Sequence, residues 1–237
     1  MSAVLDPRPK KKPAVPPVLR TAARLLTELQ PGQSAVINGL TWAGYEWLDR
    51  RRDAVRPKLK MAYHRGSLEL MVMSFFHDDV SGRLQTVVRH ACAALGIAMR
   101  SPGGATLRHE DVDTGLEPDE SFYIQNVAAV RGVKKLDLSI HPPPDLAIEV
   151  DVSRSSLSKQ SIYAALGVPE LWRFADDAVT FLVRTRKSTY RAQPNSRALP
   201  PVTSADVTRL VLAEPDDDTA LFQLLAEWAA ALKPTAK

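Results

Sequence analysis

The run Leu146-Ala147-Ile148-Glu149-Val150-Asp151-Val152 constrains this chain more than any other stretch. Leu146, Ile148, Val150 and Val152 alternate with Ala147, Glu149 and Asp151, the period of a β-strand. Pro142, Pro143 and Pro144 precede it and forbid a helix running in from the N-terminal side. A serine-rich stretch follows and leads to a helical pattern through Leu157, Ile162, Tyr163 and Leu166, with Ser153 or Ser155 as its expected cap. A strand that feeds a helix implies a sheet with helices packed on it. The strand also carries two anions on one face, Glu149 and Asp151. Like charges that close repel unless solvent or a cation intervenes.

The rest of the chain supplies the other layers. Leu19–Leu29 reads as an amphipathic helix, and Thr41 is a plausible cap for a second one through Trp42, Tyr45, Trp47 and Leu48. Lys58–Met73 reads as a β-hairpin turning at Arg65-Gly66. A long helix is expected over Val80–Met99, and strands over Ala105–His109 and Ser121–Ile124. Asn126–His141 is read as a long connection. Val168–Phe174 is a further strand, Ala178–Arg184 and Ser188–Ala192 a second hairpin, and Val207–Leu212 and Ala220–Leu232 closing helices. Strands and helices mix throughout, so the fold class is α/β (α+β), a mixed central sheet flanked by helices. Four segments are expected: a basic Pro/Lys-rich disordered tail over 1–17, a helical segment over 18–57, a core over 58–192 and a helical extension over 193–237. The tail reads as a solubilising segment or a nucleic-acid-binding arm.

Composition narrows the chemistry. One cysteine, Cys92, in 237 residues excludes an internal disulfide framework and a Cys-rich zinc site. No run approaches the ~18 apolar residues of a membrane span, and the N-terminus has no apolar signal core, so a cytoplasmic protein is expected. No phosphate-binding glycine loop, H-E-x-x-H or G-x-S-x-G element occurs. The net charge of +4 is compatible with a polyanionic partner. Basic residues gather at Arg50, Arg51, Arg52, Arg56 and Lys58, and again at Arg131, Lys134 and Lys135. Either group reads as a phosphate-contacting rim or as a solvated face.

What remains is a set of acids with one lysine: Glu69, Asp119, Glu149, Asp151 and Lys159. Hard cations such as Mg²⁺ take carboxylate oxygens, and a nearby ammonium can orient a nucleophilic water. The same residues also fit an acidic strand with an ordinary surface ion pair.

Taken together, Tyr63–Met71, His77-Asp78, Gly115–Ile124, Pro143–Ser153 and Ile162–Arg173 form a familiar series. Over roughly Lys58–Tyr190 the chain resembles the Uma2 family, the DUF820 group of restriction endonucleases within the PD-(D/E)XK nuclease superfamily. The resemblance implies a βββαβ core and Mg²⁺- or Mn²⁺-dependent hydrolysis of DNA. It implies that Asp119 and Glu149 bind the metal, with Glu69 and Asp151 as additional ligands. Asp151 stands where the superfamily usually keeps its lysine, and Lys159 on the following helix is the implied replacement. His77 matches a family histidine without an assigned role. DNA is the implied partner, the basic residues its contacts, and a homodimer through the exposed face of the Trp42–Trp47 helix a further expectation. The alternative reading is an inactive, nuclease-like module that binds nucleic acid or another partner.

Overall fold

The computed structural model describes residues 15–55, 59–151 and 158–232. In chain order the elements are α1 (Pro17–Glu28), β1 (Ser34–Asn38), α2 (Trp42–Val55), β2 (Leu59–His64), β3 (Ser67–Val72), α3 (Phe75–Leu95), β4 (Leu107–His109), β5 (Thr114–Leu116), β6 (Glu120–Phe122), β7 (Leu146–Val150), α4 (Lys159–Ala165), β8 (Glu170–Ala175), β9 (Ala178–Arg184), β10 (Tyr190–Gln193), α5 (Ser204–Val211) and α6 (Asp218–Ala231). This is a mixed α+β fold, as the alternation of patterns predicts.

The described strands divide between two sheets. The first, ordered β1-β3-β2-β5-β4, is antiparallel throughout. The second, ordered β10-β9-β8-β7-β6, is mixed, because β7 and β8 run parallel. The expected single central sheet is thus refined to a pair, and the reason lies at Glu117-Pro118-Asp119. Proline has no N–H to continue a ladder. On one side of it the Glu117 N–H donates to Met61 O (3.3 Å), in the first sheet. On the other the Asp119 N–H donates to Ile148 O (3.1 Å), in the second. The chain changes sheets within three residues.

The β2–β3 hairpin closes in two residues, as its sequence demands. Arg65 (φ 47°) and Gly66 (φ 88°) both take the left-handed conformation that matches strand twist in a tight hairpin. Strand β1 has too little alternation to stand out in sequence, yet it pairs with β3 along its whole length. The N-terminal segment therefore contributes a strand as well as helices.

Helix α3 starts earlier and ends earlier than periodicity predicts. Ser74 caps it by accepting the His77 N–H (3.3 Å), which places His77 in the first turn, and Gly96 (φ 66°) ends it. Val80, Leu84, Val87, Val88 and Ala91 press its apolar stripe against β7, β8 and the closing helices. There Trp172 stacks on Phe181 at 4.3 Å between centroids. A second core lies under α1, α2 and the first sheet, with Leu19, Ala22 and Leu26 of α1 facing it. Trp42 and Trp47 pack partly against this core.

Parallel strands need a long crossover. Between β7 and β8 it holds α4, whose first residue is Lys159. The expected caps Ser153 and Ser155 lie outside the described residues; the described helix follows Ser158.

Candidate active site

The sheet junction delivers Asp119 to the C-terminal end of β7. There its Oδ2 accepts the Val150 N–H at 2.6 Å. His77 Nε2 stands 3.0 Å from the same oxygen, and the Lys60 ammonium pairs with Oδ1 while donating to Pro118 O at 2.9 Å. The carboxylate is fully buried. Burial alone would raise its pKa, but the charges of Lys60, His77 and Lys159, with the His77 contact, outweigh it and hold the group well below the usual carboxylate range.

Glu149 stands on β7 itself, one residue before Val150. One carboxylate oxygen pairs with the Lys159 ammonium, and the other accepts the Tyr163 hydroxyl at 2.6 Å. Burial lifts its pKa, Lys159 pulls the other way, and the anions of Asp119 and Asp151 add to the rise. For Lys159 burial favours the neutral amine, yet Glu149, Asp119 and Asp151 together push its pKa above the ordinary lysine value. Asp151 accepts from Arg173 Nε at 2.6 Å and lies 3.6 Å from Lys159 Nζ. The two anions read from the strand are therefore reconciled by cations, and every residue of β7 is buried, including its polar face.

Glu69 approaches from the first sheet. Register sets it opposite Ala62, two pairs along from Lys60 and Met71 and so on the same face. These residues line a small pocket of ≈ 10 Å³ together with Leu116, Glu117 and Lys159. Glu69 is 2% exposed, and neither carboxylate oxygen has a hydrogen-bond partner. A buried carboxylate without a partner is costly, so its retention marks a place where a cation or water is expected.

The structure thus brings Asp119, Glu149, Asp151, Lys159, Glu69 and His77 to one region. It adds two residues that sequence alone does not assign to the site, Lys60 and Tyr163. Tyr163 was legible in principle: it lies four residues after Lys159, on the same face of α4. Lys60 was legible only through strand register, because it alternates with Ala62 opposite Glu69.

The basic residues separate. Arg50 and Arg51 are exposed, with Arg51 lying over the Trp47 ring at 4.8 Å. Arg52 is a correction to the expected DNA rim. It is 6% exposed, pairs with Glu117, donates to Asp49 at 3.1 Å and to Leu59 O at 3.2 Å, and so ties α2 to the sheet junction. Arg56 and Lys58 lie outside the described residues. Arg131, Lys134 and Lys135 are exposed on the connection before β7.

Among the described residues, no three His, Cys, Asp or Glu side chains stand in a ready metal-holding arrangement. Lysines sit between the acids instead. The donor chemistry nevertheless fits a hard divalent cation: buried carboxylates from both sheets lie around Lys60 and Lys159, and Glu69 has both oxygens free of hydrogen bonds. No described helix is long and apolar enough to cross a membrane.

No functionally curated protein matches the chain. Among solved structures it is similar to a "putative nuclease belonging to DUF820" from Anabaena variabilis ATCC 29413, at 14% identity over 71% of this chain and 90% of that chain, with a TM-score of 0.43. Residues 42–213 match the Uma2 family, described as "Putative restriction endonuclease". That span takes in the whole second sheet, the first sheet apart from β1, the crossover helix and every residue of the acid–lysine cluster, and the chain belongs to the Uma2 family.

Proposed function

We propose that the chain is a divalent-metal-dependent endonuclease that hydrolyses DNA phosphodiester bonds. The observation that supports this reading is the pair of buried carboxylates Asp119 and Glu149, each held by a lysine that also lines the pocket of the partnerless Glu69 carboxylate. Asp119 and Glu149 would hold the cation, with Glu69 from the facing sheet and Asp151 as further ligands. A bound divalent cation supplies charge neutralisation at the phosphodiester. Lys159 orients the attacking water and steadies the negative charge that develops on phosphorus-bound oxygens. Lys60 holds the Asp119 carboxylate ionised, and Tyr163 fixes Glu149 in orientation. The hydrolysis adds water across one P–O ester bond and yields a phosphomonoester and an alcohol. Arg50, Arg51, Arg131, Lys134 and Lys135 are the accessible cations for the DNA backbone.

The experiment is plasmid nicking with Mg²⁺ or Mn²⁺. Wild type should nick, and Asp119→Ala and Glu149→Ala should not. Nicking that survives both changes would sink the assignment. A second reading, a nucleic-acid-binding module without catalysis, draws on the lysines that occupy the space between the acids. It expects salt-dependent DNA binding with no nicking under any metal.

A further inference from the structure

Both acids proposed to hold the cation are already engaged. Asp119 Oδ2 accepts the Val150 N–H at 2.6 Å and lies 3.0 Å from His77 Nε2, and the Lys60 ammonium takes Oδ1. Glu149 gives one oxygen to Lys159 and the other to Tyr163. The two lysines also line the Glu69 pocket, whose ≈ 10 Å³ is room for about one water. An ion such as Mg²⁺ keeps several waters when carboxylates bind it. With both ammoniums in place, neither acid has an oxygen without a partner and a hydrated ion has no space.

The two lysines are not held alike. Lys159 is 10% exposed and feels the charges of Glu149, Asp119 and Asp151 together. Lys60 is 21% exposed, and besides Asp119 it has the neutral Pro118 carbonyl as acceptor, at 2.9 Å. Gly104 flanks it without a side chain; a Cβ there would stand 3.9 Å from Nζ. Lys60 is the cation that can leave.

We infer that Lys60 is a place-holding cation: in the metal-free protein its ammonium occupies the position of a divalent ion on Asp119, and it withdraws when the ion binds. The inference rests on the metal-dependent reading above for the identity of the ligand. Until the ion arrives, Lys60 keeps a buried carboxylate from standing unpaired. An ion and an ammonium on one carboxylate oxygen repel each other, and withdrawal of Lys60 frees both that oxygen and the space beside it. Lys60 thereby sets a threshold for entry. A cation must be drawn to the acids more strongly than an ammonium is, which selects divalent over monovalent ions.

The test is calorimetric titration of the full chain with Mn²⁺. Lys60→Met should bind Mn²⁺ about 10- to 150-fold more tightly than wild type, because no charged hydrogen bond has to be broken first. Lys60→Arg keeps a cation in place and should bind no more tightly than wild type. Wild type supplies a second reading that does not depend on the folding of Lys60→Met. Heteronuclear NMR of its lysine ammoniums, with Lys60→Arg assigning the signal, should show Lys60 passing from a hydrogen-bonded to a free ammonium as Mg²⁺ is added. Equal or weaker Mn²⁺ binding by Lys60→Met, Mn²⁺ binding by neither protein, or a Lys60 signal untouched by saturating Mg²⁺ overturns the inference. Tighter binding by Lys60→Met, with no DNA nicking by wild type in Mg²⁺ or Mn²⁺, would fail the nuclease reading alone. Nicking by wild type with equal Mn²⁺ affinities would fail the place-holder alone.

Discussion

Lys159 and Tyr163 meet the carboxylate of Glu149 from one face of the same helix, the ammonium on one oxygen and the hydroxyl on the other. A buried acid is thereby satisfied by residues four apart, the spacing that sets two side chains on one helical face. Removing the ammonium leaves a buried anion uncompensated, while removing the hydroxyl deletes one hydrogen bond. Lys159→Met should therefore cost about 3–5 kcal/mol and Tyr163→Phe about 1.5–3 kcal/mol. Urea unfolding of the two variants in EDTA measures the order, and a Tyr163→Phe cost equal to or above that of Lys159→Met would contradict it.

Glu69 predicts the opposite sign. Its carboxylate is buried with both oxygens partnerless, so Glu69→Gln should stabilise the metal-free protein by about 1–3 kcal/mol. The same change should weaken divalent binding if Glu69 is a ligand. Thermal melting in EDTA and in excess Mn²⁺ separates the two effects. Wild type should gain more from Mn²⁺ than Glu69→Gln, because a ligand that binds only the folded state stabilises it in proportion to its affinity.

Glu170 offers a pH test away from the acid cluster. It is fully buried, and its carboxylate accepts Trp172 Nε1–H at 2.7 Å and the Ala198 N–H at 2.6 Å. Burial outweighs these donors and lifts its pKa above the usual glutamate value. The folded protein then holds that proton more tightly than the unfolded chain does. Stability is lost as pH rises from the unfolded pKa, about 4.3, through the folded one, at a limiting slope of about 1.36 kcal/mol for each step of one in pH. Glu170→Gln removes this dependence. Relative to wild type, the variant should gain ground between pH 4 and the raised folded value, and urea midpoints across that range record it. A constant difference would show that Glu170 does not titrate in this way.

How much of the fold and the site could be read from sequence depended on how local each signal was. The β2–β3 hairpin, the strand at Leu146–Val150 and the apolar face of α1 were legible because period and turn chemistry agree over a few residues. The start of α3 was misplaced because Phe75 and Phe76 do not share its buried stripe, and only the Ser74 cap marks it. The acids of the site stood out as acids. Lys60 and the buried role of Arg52 did not, because both depend on pairing partners roughly sixty residues away, Asp119 and Glu117. Charge type is written in the chain, whereas the identity of a counter-ion is set by sheet register.

The change of sheets at Glu117-Pro118-Asp119 has an architectural consequence. Lys60 and Glu69 belong to one sheet, Glu149 to the other, and Asp119 to the hinge point between them. A nascent chain folded only through its first sheet holds half of the cluster, with nothing opposite Glu69. The full set of charges comes into register only when both sheets are finished, so whatever chemistry the cluster performs is withheld from every partly folded form and released by completion of the fold.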